Sequence, residues 1–233
     1  MELITYAPHF GEPSGSPFCV KAMCLLQMSG VTWAPKFTGD PRKAPNQKLP
    51  VLVDGDTVVA DSAEIAAYLQ NKTGHDFDKG LNEAQKAQSH ALLRLCEEHL
   101  YFLLMHERWT NPNNWQQLRQ AFFGDIPWGL RSLISSSVRK STQSALHGQG
   151  TGRQSNAARL ARAQADINTI KVMLGEQPYL FGERPTLADT SIAPMLAALA
   201  GTPVQTDITR LVSGDQKLND YCARVRGEIY PKT

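Results

Sequence analysis

Lys48-Leu49-Pro50-Val51-Leu52-Val53 and Thr57-Val58-Val59-Ala60-Asp61-Ser62 flank Asp54-Gly55-Asp56. Two short apolar runs around an Asp-Gly signal predict a β-hairpin. Pro50 heads the first run, where no ladder donor is asked of it. The second run stops directly before Ala63-Glu64-Ile65-Ala66-Ala67-Tyr68-Leu69, a helical pattern. Asp61 or Ser62 is the expected cap of that helix. A helix start carries free N–H groups and the positive end of the macrodipole. The stretch therefore offers a seat for a carboxylate beside main chain open to pairing. A capped helix that follows a hairpin and holds no ligand accounts for the same residues.

Upstream, Leu3-Ile4-Thr5-Tyr6 reads as a short strand. A loop from Ala7 to Gly15 follows, broken by Pro8, Gly11, Pro13 and Gly15. Ser16-Pro17 opens a helix, with Ser at the N-cap and Pro at the first helical position, and Gly30 closes it. Val31-Thr32-Trp33 and Lys36-Phe37-Thr38 form a second strand region that Pro35 interrupts. Strand, helix and strand make a parallel βαβ unit with a right-handed crossover. The hairpin and the helix after Ser62 complete a βαβ-ββα unit ending near Lys72.

Thr73-Gly74-His75-Asp76 is a polar break and the expected domain boundary. Strand signals stop there. Leu92, Leu95, Cys96, His99, Leu100 and Leu103 recur at helical spacing, which predicts a long helix from Asn82 to Trp109. Further helices are expected near Trp115–Phe123, over Leu130–Leu146, from a Ser155 cap through Leu174, from Thr186 to Ala200, and over Leu218–Glu228. Gly148-Gln149-Gly150-Thr151-Gly152 reads as a flexible turn. The fold class is α+β: residues 1–73 form a small α/β domain and 82–233 an all-helical one.

The bulk composition limits the function classes. With 42% hydrophobic and 20% charged residues, the 233-residue chain is ordinarily globular. A net charge of +2 gives no argument for nucleic acid. No apolar run reaches the ~18 residues of a membrane span. Met1-Glu2-Leu3-Ile4-Thr5 has no basic region leading into an apolar core, so no secretory leader is expected. Cys19, Cys24, Cys96 and Cys222 are scattered without disulfide or zinc spacing, which points to a reducing compartment and a cytoplasmic location.

The strand, the Ser16-Pro17-Phe18-Cys19 helix, the Leu49-Pro50 hairpin and the Asp61-Ser62 helix together resemble the thioredoxin-like domain of a glutathione transferase. The helical remainder, with Thr186-Leu187-Ala188-Asp189, resembles that superfamily's C-terminal domain. Several stretches are similar to the branch that holds failed-axon-connections proteins and metaxins. These are Ser16-Pro17-Phe18-Cys19, Ala60-Asp61-Ser62, Glu98-His99-Leu100-Tyr101 through Glu107-Arg108-Trp109, Gly148-Gln149-Gly150 with Gly152-Arg153, and Tyr221-Cys222-Ala223-Arg224. The resemblance spans essentially the whole chain.

The resemblance implies a cis peptide before Pro50, with the Leu49 main chain pairing with the cysteinyl part of glutathione. It implies that Ser62 holds the γ-glutamyl carboxylate at the helix start and that Asp61 faces the α-amino group. Many relatives carry Glu or Gln at that position, and the shorter Asp61 arm changes the reach. Lys48 is a candidate for the glycyl carboxylate and equally a solvated surface lysine. Ser16 falls where relatives place a reactive Cys or Ser. Its hydroxyl would donate to the glutathione thiolate and lower the thiol pKa. A plain N-cap is the competing role, and Ser14 and Tyr6 are rivals for the thiol. A dimer is usual in the superfamily, so a homodimer is a possible state.

Cys19 lacks the partner Cys of a redox motif and reads as buried packing. His99 and His106 lie seven apart on one helix face without the tighter donors of a metal site, so no metal is expected. Tyr101, Met105, Arg108 and Trp109 are candidates to line an electrophile pocket, with core packing as the alternative. Arg139, Lys140, Arg153, Arg159 and Arg162 read as a solvated basic face or as a patch for an acidic partner. Thr186 and Asp189 read as a folding cap.

Two functions follow. One is an enzyme in which glutathione is co-substrate and an electrophilic small molecule is acceptor, a detoxification activity. The other is a non-catalytic, metaxin-like interaction protein on the same fold.

Overall fold

The computed structural model describes residues 1–231. Strands β1 (Glu2–Thr5), β2 (Ala34–Phe37), β3 (Val51–Asp54) and β4 (Thr57–Ala60) form one sheet in the order β2-β1-β3-β4. β1 and β2 are parallel, and β3 is antiparallel to both its neighbours. In the hairpin, Val53 pairs with Val58 and Asp54 with Thr57. Gly55 at the turn has φ +59°, which glycine adopts without a Cβ penalty.

The expected break at Pro35 does not occur. β2 runs through Pro35, and Val31-Thr32-Trp33 precede the strand. β2 is an edge strand, paired among the described residues with β1 alone. Ala34 N–H donates to Met1 and Thr38 N–H to Thr5, so the residues between them in alternation present their nitrogens outward. Pro35 therefore costs no ladder bond.

Helix α1 (Pro17–Met28) and α2 (Ser62–Thr73) cover one face of the sheet. Leu3 and Leu52 pack there against Met23, Leu25, Leu26, Ile65 and Leu69. α1 ends slightly before the expected position, with Ser29 as C-cap and Gly30 beyond it at φ +68°.

The rest is helical. The predicted long helix is present as α3 (Glu83–Leu95), a π-helical turn (Cys96–Leu100) and α4 (Tyr101–Trp109). Asn82 and Gln85 form a reciprocal capping box at its start. Then come α5 (Pro112–Phe123), α6 (Trp128–Gln149), α7 (Asn156–Leu174), α8 (Leu187–Ala200), α9 (Asp207–Ser213) and α10 (Gln216–Ile229). The expected turn at Gly148–Gly152 is instead the end of α6 followed by a 3₁₀ turn at Thr151–Arg153.

The apolar α8 is the centre of the larger core. Ile192, Leu196 and Leu199 meet Leu100, Leu103, Ile167, Tyr221 and Val225. Val20 and Cys24 of α1 belong to this same cluster, so the thioredoxin-like and helical parts share buried contacts through α1. Thr186 and Asp189 form the expected capping box. The fully buried Asp189 carboxylate accepts from Thr186 N–H (2.7 Å), Thr186 Oγ1 (2.8 Å), Leu180 N–H (3.1 Å) and Tyr221 O–H (2.8 Å).

α6 is patterned the other way round. Ser135 is fully buried, whereas Leu133 is 71% and Trp128 88% exposed. Among the described residues no helix is long and apolar enough to cross a membrane.

Candidate active site in the cleft between sheet and helices

A cleft of about 510 Å³ opens between the thioredoxin-like domain and the long helix. Ser16, Lys48, Leu49, Pro50, Asp61 and Ser62 all line it, so residues far apart in sequence are brought together. Tyr6 and Phe18 also belong to its wall, and Arg94, Glu97, Glu98, Tyr101 and Phe102 face them from the helical side.

The Leu49–Pro50 peptide is cis, and the Pro50 carbonyl accepts Asp61 N–H at 3.3 Å. The Leu49 side chain is buried against Cys19 and Val51. Its main-chain N–H and C=O are taken by no other group among the described residues. Lys48 is exposed on the rim.

Asp61 is the cap of α2: its Oδ1 accepts Ala63 N–H at 2.8 Å. It stands at φ +86°, a conformation uncommon for a residue with a side chain. Ser62 is the first residue of α2 and only 2% exposed. Its N–H has no intrahelical acceptor at that position. Its Oγ makes no bond among the described residues and is not sealed from solvent, so it is open to the cleft.

Ser16 occupies the N-cap position of α1, yet its hydroxyl makes no cap hydrogen bond. The expected competition between capping and catalysis is absent. Ser14 is not a rival in the cleft: it is 2% exposed and accepts from Thr5 Oγ1 at 3.1 Å and from Ser16 N–H at 3.4 Å. Tyr6 does line the cleft. Burial drives its pKa upward, so its phenol stays protonated. Cys19 is fully buried with its thiol pushed up by burial, in agreement with a packing role.

The long loop before Ser16 is held from behind. Arg108 is 5% exposed, and Arg226 pairs with the buried Glu12 within the loop. Gly15 lies close under an aromatic ring. A Cβ there would lie 2.5 Å from the Phe122 ring of α5. Of the expected pocket residues on the long helix, Tyr101 lines the cleft, while Met105, Arg108 and Trp109 do not.

Sequence reasoning missed Arg94, Glu97 and Glu98. Glu97 is 7% exposed, and its Oε1 accepts Lys21 Nζ at 2.6 Å and Ser191 Oγ at 2.8 Å. Its Oε2 accepts from Arg94. The signal available was the adjacent pair Glu97-Glu98 beside the apolar stripe of the long helix. The π turn sets which carboxylate points inward.

The two histidines look toward α7 with different partners. His99 pairs with Asp166, and His106 lines a separate cavity of about 500 Å³ with Glu107 and Arg159. The basic residues do not form one face. Arg139 donates to Trp109 O (2.9 Å) and Thr110 O (3.2 Å) and stacks on Trp115. Arg159 is 6% exposed and bonds the carbonyls of Thr151 and Gln154. Lys140, Arg153 and Arg162 remain in solvent.

Two family models match the chain: the glutathione S-transferase N-terminal domain over residues 17–114 and the C-terminal domain over 163–225. The isoprene-epoxide glutathione S-transferase of Rhodococcus sp. (strain AD45) is 32% identical over 95% of each chain. Human metaxin-2 is 24% identical over 80% of this chain and 72% of its own length. A crystal structure of a glutathione transferase from Phanerochaete chrysosporium superposes with TM-score 0.68 at 18% identity, covering 100% of this chain and 99% of that one. The full-length match to the Rhodococcus enzyme, on a fold and cleft of this form, shows that the chain belongs to the glutathione S-transferase family.

Proposed function

We propose that this protein binds glutathione in the cleft and activates its thiol for transfer to an electrophilic small molecule. The observation that carries the reading is the pairing of two open features in one cleft. The unpaired main chain of Leu49 can receive a peptide as a strand neighbour. The free hydroxyl and N–H of Ser62, at the positive end of α2, can receive a carboxylate. Asp61 keeps its Oδ2 for the ligand's ammonium, and Lys48 on the rim faces the glycyl end.

Ser16 is assigned to the sulfur. Its uncommitted hydroxyl donates to the thiolate and lowers the thiol pKa, while the thiol proton leaves to solvent. The thiolate forms a bond to the electrophilic carbon as the carbon–leaving-group bond breaks, and a leaving oxygen takes up a proton. Tyr6, Phe18, Tyr101 and Phe102 make an aromatic wall for an apolar acceptor. The relative named for isoprene epoxide supports small epoxides as the first acceptors to test. A cytoplasmic detoxification role and a homodimer are part of this reading. Light scattering tests the homodimer.

The test is calorimetric titration of glutathione into the reduced protein and into Ser62→Ala. Saturable binding weakened about tenfold by Ser62→Ala is expected. No binding at millimolar ligand removes the reading. A second reading, a non-catalytic partner-binding protein, is favoured by the likeness to metaxin-2 and by the apolar outer face of α6. It takes precedence if the titration is flat.

A further inference from the structure

We infer that the second cavity, at the far end of the long helix, binds a free α-amino acid with an aliphatic side chain, Glu107 taking its ammonium and Arg159 its carboxylate.

This cavity of about 500 Å³ lies between the end of α4 and the starts of α7 and α9, and it shares no lining residue with the cleft. The volume suits a small organic ligand. Glu107 and Arg159 both line it, and they are 7% and 6% exposed. Buried charges are as a rule paired, because an unpaired one is costly to desolvate. Among the described residues, Glu107 makes no ion pair with Arg159, and its carboxylate accepts no hydrogen bond. His106 Nδ1 stands 3.6 Å from it, beyond hydrogen-bond reach. The Glu107 oxygens are not sealed inside the protein and open on the cavity.

Arg159 donates from Nη1 to Thr151 O and Gln154 O and from Nη2 to Asn156 Oδ1. Its Nε and the second Nη2 hydrogen are left over. An uncommitted buried anion and a buried cation with spare donors thus share one cavity without reaching each other. A ligand carrying both opposite charges a short distance apart answers both, whereas a ligand of single charge leaves one unanswered. That is the chemistry of an α-amino acid. The start of α7 strengthens the carboxylate side: Asn156 and Ala157 line the cavity, and their N–H groups have no intrahelical acceptor. Asp207 on the same wall is paired with Arg210 and adds no net charge. Leu160 and Ile208 supply an apolar wall, which favours an aliphatic side chain. A metal ion fits less well, since among the described residues no group of three or more His, Cys, Asp and Glu could hold one.

The test is calorimetric titration of L-leucine into the wild-type protein and into Glu107→Gln. N-acetyl-L-leucine and L-leucinamide are the matched ligands, lacking the ammonium and the carboxylate in turn. The wild-type protein is expected to bind L-leucine saturably and each matched ligand about tenfold more weakly. Glu107→Gln is expected to lose about tenfold in affinity for L-leucine. No binding of L-leucine at millimolar concentration overturns the inference and leaves a cavity filled by water. Unchanged affinity in Glu107→Gln places the leucine elsewhere and overturns it as well, as does a matched ligand that binds as tightly as L-leucine. If Glu107→Gln fails to fold, the three ligands compared on the wild-type protein decide. None of these outcomes depends on whether the cleft binds glutathione.

Discussion

Arg108 Nη1 donates to the Gly15 carbonyl at 3.2 Å, so the long helix holds the residue immediately before Ser16. The same guanidinium donates to Ala198 O at 2.9 Å and lies over the Phe10 ring at 5.1 Å. Burial lowers its pKa to about 10, which leaves it charged at neutral pH. Arg108→Met keeps much of the volume and strips the donors from two buried carbonyls. It is expected to cost about 2 kcal/mol in urea denaturation and to weaken glutathione binding by loosening the loop. A wild-type denaturation midpoint would show that the carbonyls find other donors.

Ser16→Ala should separate chemistry from binding. Its turnover with an epoxide is expected to fall about a hundredfold, with little change in the glutathione dissociation constant. The ultraviolet absorbance of bound thiolate should titrate at higher pH in the variant. Unchanged turnover would take Ser16 out of the mechanism and make Tyr6→Phe the next variant to examine.

Asp189 is buried and does not line the cleft, yet its removal should be severe. Asp189→Ala leaves Thr186, Leu180 and Tyr221 with unanswered donors in the core. The expected loss is about 3 kcal/mol or more. Thermal unfolding measures it, and a loss below about 1 kcal/mol would mean that the cap is replaced by water.

Asp54 ties the hairpin to α2. It accepts Tyr68 O–H at 2.6 Å and pairs with Lys72. The Lys72 hydrogen bond holds its carboxyl below the usual carboxylate range. The unfolded chain binds that proton near the ordinary value of about 3.9. Because the folded value is lower, the contribution is complete above the unfolded pKa and is lost as the pH falls through the folded one. Asp54→Asn should flatten this part of the acid limb of the stability curve. An acid limb of unchanged slope would assign the loss to other carboxylates.

The parts of the cleft were legible as local signals, and the resemblance to glutathione transferases joined them into one site. Leu49-Pro50 sits at a strand head, Asp61-Ser62 at a helix start, and Ser16-Pro17 at another, each readable from a few residues. The hairpin follows from its turn signal and the long helix from apolar spacing. What stayed hidden depends on geometry that no short window encodes. Pro35 in β2 is tolerated only because that strand is an edge. α9 is seven residues long, too brief for a periodic pattern to register. Arg139 and Arg159 read as surface charge, since only the fold reveals the carbonyls they reach. Glu97 is buried within a π turn, and the sequence carries the apolar stripe across that turn without a break.

The contact between Gly15 and Phe122 binds two positions that lie more than a hundred residues apart. The ring of α5 fills the space where a side chain at position 15 would go. Homologues should therefore show paired substitution: a residue larger than glycine at 15 should be accompanied by a smaller one at 122. Such covariation would trace which members of the family share this way of holding the loop before the serine.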